Sequence, residues 1–178
     1  PQLTITAENK EVIYGDAAPE FTATYSGWMG QDDATVISNL QITSTYAVGS
    51  SVGTYDIVPS GATALNYTMS YVNGSLTVNK AKVSVINAEA QKAKFADGHA
   101  VAVVLNQGTL DGVKLNDAVT HVTTATFSSA EVAENLTITL FYELQGDEAL
   151  LANYLLEPTS EIFSEEGVII EPFLPDNE

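Results

Sequence analysis

Apolar and polar residues alternate in short runs along most of this chain, the period-two pattern of strands that bury one face. Leu3-Thr4-Ile5-Thr6, Glu11-Val12-Ile13-Tyr14 and Phe21-Thr22-Ala23-Thr24-Tyr25 are the first three runs. The second is closed by the turn cluster Gly15-Asp16-Ala17-Ala18-Pro19, the third by Ser26-Gly27. Residues 31–40 break the pattern. Ala34, Val36, Ile37 and Leu40 stand partly at helical spacing behind Asp32-Asp33, either of which can cap a helix. One or two helical turns are predicted there. Strands resume over residues 41–46, 52–58 and 67–72. Asn73-Gly74 then separates 67–72 from Ser75-Leu76-Thr77-Val78. Two β runs joined by Asn-Gly predict a hairpin, because both residues tolerate the positive φ of a type I′ turn.

The second half repeats this plan with longer insertions. Leu76 and Val78 run through Lys80-Ala81 into Val83 and Val85 with no Gly-, Pro- or Ser-rich linker, so the last strand of one unit feeds the first strand of the next. Residues 100–105 are continuously apolar and predict a strand buried on both faces. Residues 118–127 and 135–142 read as long strands, and Ala149-Leu150-Leu151-Ala152 as a helical turn. Residues 161–164 and 167–170 predict a closing hairpin. The halves share landmarks in order: Tyr14-Gly15-Asp16 with Phe95-Ala96-Asp97-Gly98, Asp33-Ala34 with Asp117-Ala118, and Asn66-Tyr67 with Asn153-Tyr154. A spacing of roughly 80–90 residues is that of a domain array.

Charge narrows the partners. The chain of 178 residues carries 23 acidic groups against 6 lysines and no arginine, for a net charge of -17. Residues 81–178 hold sixteen of the acids and four of the lysines. Phosphate contact needs clustered Lys and Arg, so nucleic acid is excluded, and an anionic membrane surface is disfavoured. No apolar run is long enough to insert in a bilayer as a helix. Cysteine is absent, which removes disulfides and thiolate chemistry. Pro1 to Thr6 already reads as strand and not as a signal peptide, so the expectation for an exported protein is a mature fragment.

Residues 3–79 resemble an MBG-type domain of the YGX kind. The matching features are Lys10, Tyr14-Gly15-Asp16-Ala17-Ala18-Pro19, Tyr25-Ser26-Gly27, Val52-Gly53-Thr54-Tyr55-Asp56-Ile57, Asn66-Tyr67 and Gly74-Ser75-Leu76-Thr77-Val78. Residues 81–171 resemble a YDG-type domain in Gly112-Val113, Asp117-Ala118-Val119, Ala125-Thr126-Phe127 and Asn153-Tyr154-Leu155, although the naming motif is altered to Phe95-Ala96-Asp97-Gly98. The resemblance implies a repeated extracellular module of large bacterial surface and adhesin-like proteins, without known catalysis and without transferable binding residues.

Candidate chemistry is sparse. His99 stands in a turn and His121 in an alternating strand, neither within a ligand cluster. Walker, Rossmann, nucleophile-elbow and zinc spacings do not occur. No catalytic residue, cofactor or metal ligand is assigned, and the chain is read as no enzyme. Gly146-Asp147-Glu148 and Ser164-Glu165-Glu166-Gly167 have oxygen donors for calcium but not EF-hand spacing. The best binding patch is Tyr25, Trp28 and Met29 around Gly27 and Gly30, since Tyr and Trp are frequent in recognition surfaces.

The expected architecture is mainly β, with two tandem small domains over residues 1–80 and 81–171 and a flexible acidic tail over 172–178. Each domain is expected to be β-grasp-like, with a short helix after the second strand. The alternative is an immunoglobulin-like β-sandwich, which lacks that helix. The expected function is that of a non-catalytic, extracellular, cell-surface spacer or adhesion stalk, with neighbouring domains of a longer chain as partners. The alternative is a glycan- or protein-binding module that uses the Tyr25-Trp28-Met29 patch on a host glycan or protein.

Overall fold

In the computed structural model, residues 1–172 are described, and the rest of the expected tail, 173–178, lies outside them. The chain is mainly β, built from several small sheets. It divides into two compact units, the first Pro1–Ala81 and the second beginning at Lys82, so that the strand Ala81–Ile86 starts on the last residue of the first and is counted with the second.

The first unit holds seven strands: β1 (Gln2–Ala7), β2 (Lys10–Ile13), β3 (Ala23–Ser26), β4 (Gln41–Ser44), β5 (Gly53–Ser60), β6 (Thr68–Val72) and β7 (Gly74–Asn79). They form two sheets, ordered β3-β1-β6 and β2-β7-β5-β4. β1 pairs antiparallel with β3 and parallel with β6, while β2 pairs parallel with β7. Two neighbouring stretches of chain, β1 into β2 and β6 into β7, therefore run side by side and pass together from one sheet into the other. With each taken as one bent strand, the order is β-grasp-like around a central parallel pair. The 3-10 turn Ala34–Val36 then follows the second strand, as expected. Asp33 is its cap, accepting a hydrogen bond from Thr35 N at 2.9 Å.

Alternation explains the core. Leu3 and Ile5 of β1, Ile57 of β5, and Leu76 and Val78 of β7 are fully buried, while the polar residues between them face outward. Each such side chain contributes about 1.5–3 kcal/mol relative to an exposed one.

The hairpin expected at Asn73-Gly74 does not form. β6 and β7 lie in different sheets and both follow the same partner stretch in parallel, so the Asn-Gly pair is a bend within one strand. Neither residue has positive φ. Gly74 is needed for another reason. A Cβ there would stand 2.6 Å from the carbonyl oxygen of Ala7 and 2.9 Å from that of Glu8. Asn9 fills the gap in the ladder, its Oδ1 accepting from Ser75 N at 2.9 Å.

The second unit holds β8 (Ala81–Ile86), β9 (Glu89–Ala90), β10 (Ala93–Phe95), β11 (Val101–Ala102), β12 (Val104–Asn106), β13 (Thr109–Asp111), β14 (Thr120–Phe127), β15 (Ala133–Gln145), the helical turn α1 (Glu148–Leu151), β16 (Tyr154–Leu156) and β17 (Ser160–Ile170). Its sheets are ordered β13-β8-β16 and β10-β17-β15-β14-β11. Placed beside the first unit, β13-β8-β16 corresponds to β3-β1-β6, and β10-β17-β15-β14 to β2-β7-β5-β4. The antiparallel β8–β13 pair and the parallel β10–β17 pair repeat the directions of β1–β3 and β2–β7. What is added is β11 and the two-stranded ribbon of β9 with β12. The core gathers Val85, Phe127, Leu136, Ile138, Leu140, Tyr142 and Ile169.

Three expectations for this unit are corrected. No helix follows β13, the counterpart of β3, and the helical turn α1 comes after β15 instead. Residues 100–105 are not buried on both faces. Ala102 is buried, but Val101 (65%), Val103 (58%) and Leu105 (65%) are exposed, because β11 is the edge of its sheet and β12 belongs only to the ribbon. The closing hairpin is instead the single strand β17. Glu165 adopts φ 59° there, and the pairing with β15 slips on either side of Gly167, so the Ser-Glu-Glu-Gly stretch is a bulge.

Gly74→Ala is expected to destabilise the first unit by about 1–3 kcal/mol, since backbone oxygens cannot yield to the new methyl. Asn73→Ala should stay within about 0.5 kcal/mol, as no left-handed turn depends on it. Urea unfolding of both variants distinguishes the bend from a hairpin, in which Asn73 would matter.

Candidate functional site

Tyr25 is on β3, and Trp28 and Met29 follow in the loop. Gly27 opens that loop with φ 99°, and a Cβ on it would meet the carbonyl oxygen of Gln2 at 2.3 Å. Only glycine lets the chain leave β3 so close to β1. The loop then places Trp28 between two tyrosines. Its ring centroid is 5.7 Å from that of Tyr25, tilted, and 6.0 Å from that of Tyr67, edge-on. Trp28 and Tyr25 are half-buried, and Met29 is 48% exposed. The three residues singled out from the sequence thus adjoin one another, with Tyr67 as an added member.

Tyr67 ties the loop down. Its hydroxyl accepts from Met29 N at 2.8 Å and donates to Asp32 Oδ2 at 2.7 Å. Burial, then the Asp32 carboxylate, raises the Tyr67 pKa, which keeps the phenol protonated and able to donate. The Thr35 hydroxyl and amide hold the neighbouring Asp33 below the usual carboxylate range.

The same device recurs in the second unit. Gly112, with φ 89°, closes on the carbonyl oxygen of Lys82 as Gly27 does on that of Gln2. The Tyr154 hydroxyl accepts from Lys114 N at 3.1 Å and donates to Asp117 Oδ2 at 2.6 Å. In both units the order is glycine, an amide donor two positions on, and an aspartate five positions on, clasped by a tyrosine beside β6 or opening β16. Asp117 therefore corresponds to Asp32, one residue away from the Asp33 expected from the sequence. Trp28 corresponds to half-buried Val113. The position of Trp28 is a packing position in both units, and the indole adds area and an N–H to it.

A second landmark also shifts by one. Tyr14 N donates to Asn79 O, and Ala96 N to Ile170 O, both at 2.8 Å. Ala96 is thus the counterpart of Tyr14, and Phe95 that of Ile13. This accounts for the burial of Tyr14 and the exposure of Phe95. The loop after β10 closes on a lysine: the Lys94 ammonium donates to Asp97 Oδ1 at 2.6 Å and to the carbonyl oxygens of His99 at 2.9 Å and Val101 at 3.2 Å. That ammonium lowers the Asp97 pKa.

Three other polar groups singled out from the sequence have structural neighbours. His121 Nε2 lies 2.8 Å from the carbonyl oxygen of Gln107. Asp147 caps α1 by accepting from Ala149 N and Leu150 N. Glu166 pairs with Lys92. Among the described residues, no three His, Asp or Glu side chains converge as a metal site.

Tyr67→Phe keeps the ring against Trp28 but removes both hydroxyl bonds. It is expected to cost about 0.5–1.5 kcal/mol, and Tyr154→Phe a similar amount in the second unit. Trp28 is the one tryptophan, so its fluorescence in urea reports the first change, and circular dichroism reports the second. Losses near zero would show that the clasp only marks the turn.

No curated protein and no solved structure matches the chain. Residues 3–77, a span within the first unit, match the family model of the MBG domain (YGX type).

Proposed function

We propose that the chain is a non-catalytic module of a bacterial surface or adhesin-like protein, acting outside the cell as a semi-rigid spacer or adhesion stalk. The observation that carries this reading is the single residue, Lys80, between β7 and β8. One residue contributes two soft backbone dihedrals, far fewer than a flexible linker. The match of residues 3–77 to a domain found in surface and repeat proteins supports it. The second unit is read as a YDG-like companion of the first, on its quoted motifs and on the strand order the two share. The acid excess suits a solvated, non-aggregating element.

Backbone 15N relaxation tests the spacer reading. The full chain is expected to give one rotational correlation time for amides of both units, and a Gly-Ser insertion after Lys80 should separate it into two. Two independent times in the wild type would overturn the semi-rigid reading.

A second reading rests on the half-exposed Met29 beside Trp28 and Tyr25, a surface able to stack on a sugar ring or a partner side chain. On a glycan array, wild-type binding that is lost in Trp28→Ala and weakened in Met29→Ser supports it. No binding by the wild type removes it.

A further inference from the structure

A cleft of about 710 Å³ opens in the second unit. It is lined by Ile138 of β15 and Phe163 of β17, and by Ala88, Ala90 and Leu105 from the region of the β9–β12 ribbon. Ala88 and Ile138 belong to the core of the unit, and Ala90 and Phe163 pack against it. These surfaces are therefore fixed parts of the fold. The volume is that of sites for small organic molecules, roughly 300–1,000 Å³. The ribbon has no counterpart in the first unit among the described residues, although, β11 aside, the rest of the strand order is shared. It is an addition to a common scaffold, which is where specific sites are commonly placed.

The chemistry of the cleft is apolar with an acidic edge. Leu105 presents 65% of its surface to water, so an apolar ligand laid against it would be favoured by burial. Two carboxylates, Glu89 and Glu161, line the same space. Glu161 is oriented, because the Tyr142 hydroxyl donates to its Oε2 at 2.9 Å. Tyr142 stays protonated in this role, its pKa pushed up to about 12 by burial and by that carboxylate. Lys92 is the cation among the lining residues, and it is engaged by Glu166. The field of the whole chain, at net charge -17, also favours a cation.

We propose that this cleft binds a small-molecule amine with an apolar body, the body against Leu105, Ala90 and Phe163 and the ammonium at Glu89 and Glu161. Such a site is independent of the spacer role and of the Tyr25-Trp28-Met29 patch.

The test is a 1H–15N titration of the full chain with phenylbutylamine, and with phenylbutanol as the uncharged control. Saturable shifts are expected at Ala90, Leu105 and Phe163, with the amine bound roughly three- to tenfold more tightly than the alcohol. The Glu89→Gln/Glu161→Gln double variant should remove most of the difference between the two ligands. Its new amide oxygen can still accept from Tyr142, so the fold is retained, and an unchanged spectrum without ligand verifies this. Leu105→Ser should weaken both ligands. Equal affinities in the wild type, shifts spread over other acidic surfaces, or no saturable shift would each overturn the proposal.

Discussion

The structure of the first unit depends on one close crossing. Two stretches of chain run parallel and turn together from one sheet into the other, and at the turn Gly74 lies against the carbonyl oxygens of Ala7 and Glu8. A side chain there would separate the pair. The same pair carries Leu3, Ile5, Leu76 and Val78, so its separation would open the core from both sheets. Asn9 completes the arrangement by giving Ser75 a hydrogen-bond partner where the regular ladder is interrupted. The parallel direction of this pair also sets the topology apart from an immunoglobulin-like sandwich, whose sheets are antiparallel.

Around that pair the two units use one construction with different additions. Most of the strand order, the antiparallel β1–β3 and parallel β2–β7 pairs with their counterparts β8–β13 and β10–β17, and the tyrosine clasp after β3 or β13 are common to both. In the first unit the clasped loop carries Trp28 and Met29. In the second, Val113 and Lys114 take those places, and the β9–β12 ribbon is inserted elsewhere. This division bears on function. Features shared by both units have a structural cause close at hand, as Trp28 has in its packing between Tyr25 and Tyr67. Features of one unit alone, the exposed Met29 and the ribbon-walled cleft, are the places where binding can be added without disturbing the scaffold.

Several sequence signals pointed the right way and others did not, for identifiable reasons. Alternation located most strands, and Asp32-Asp33 marked the helical turn that Asp33 caps, because both depend on neighbours within a few residues. Asn73-Gly74 misled because glycine serves two purposes: positive φ in a turn, and absence of a side chain where backbones approach. Only the partner strand shows which applies. Residues 100–105 misled because a run of apolar residues says nothing about whether a second layer covers it, and here β11 is an edge. The two halves share most of a strand order, but the paired landmarks at Phe95 and Asp33 were each off by one residue. One-residue slips exchange the inner and outer faces of a strand, and short motifs do not resolve them.

The candidate patch shows the same limit. Tyr25, Trp28 and Met29 are neighbours in sequence and could be grouped from it, whereas Tyr67 joins them and Asp32, across 35 or more residues of chain, only once β6 lies beside β1. The cleft of the second unit was not legible, since its apolar and acidic members come from β9, β12, β15 and β17. By itself, the sequence determined the mainly β character, the two-part organisation it suggested, the acid excess and the local caps, because these follow from composition and from contacts a few residues long. Tertiary structure alone decided which glycine bends a strand, which apolar run faces water and which distant carboxylates share a cavity, because those depend on what the fold places opposite each residue.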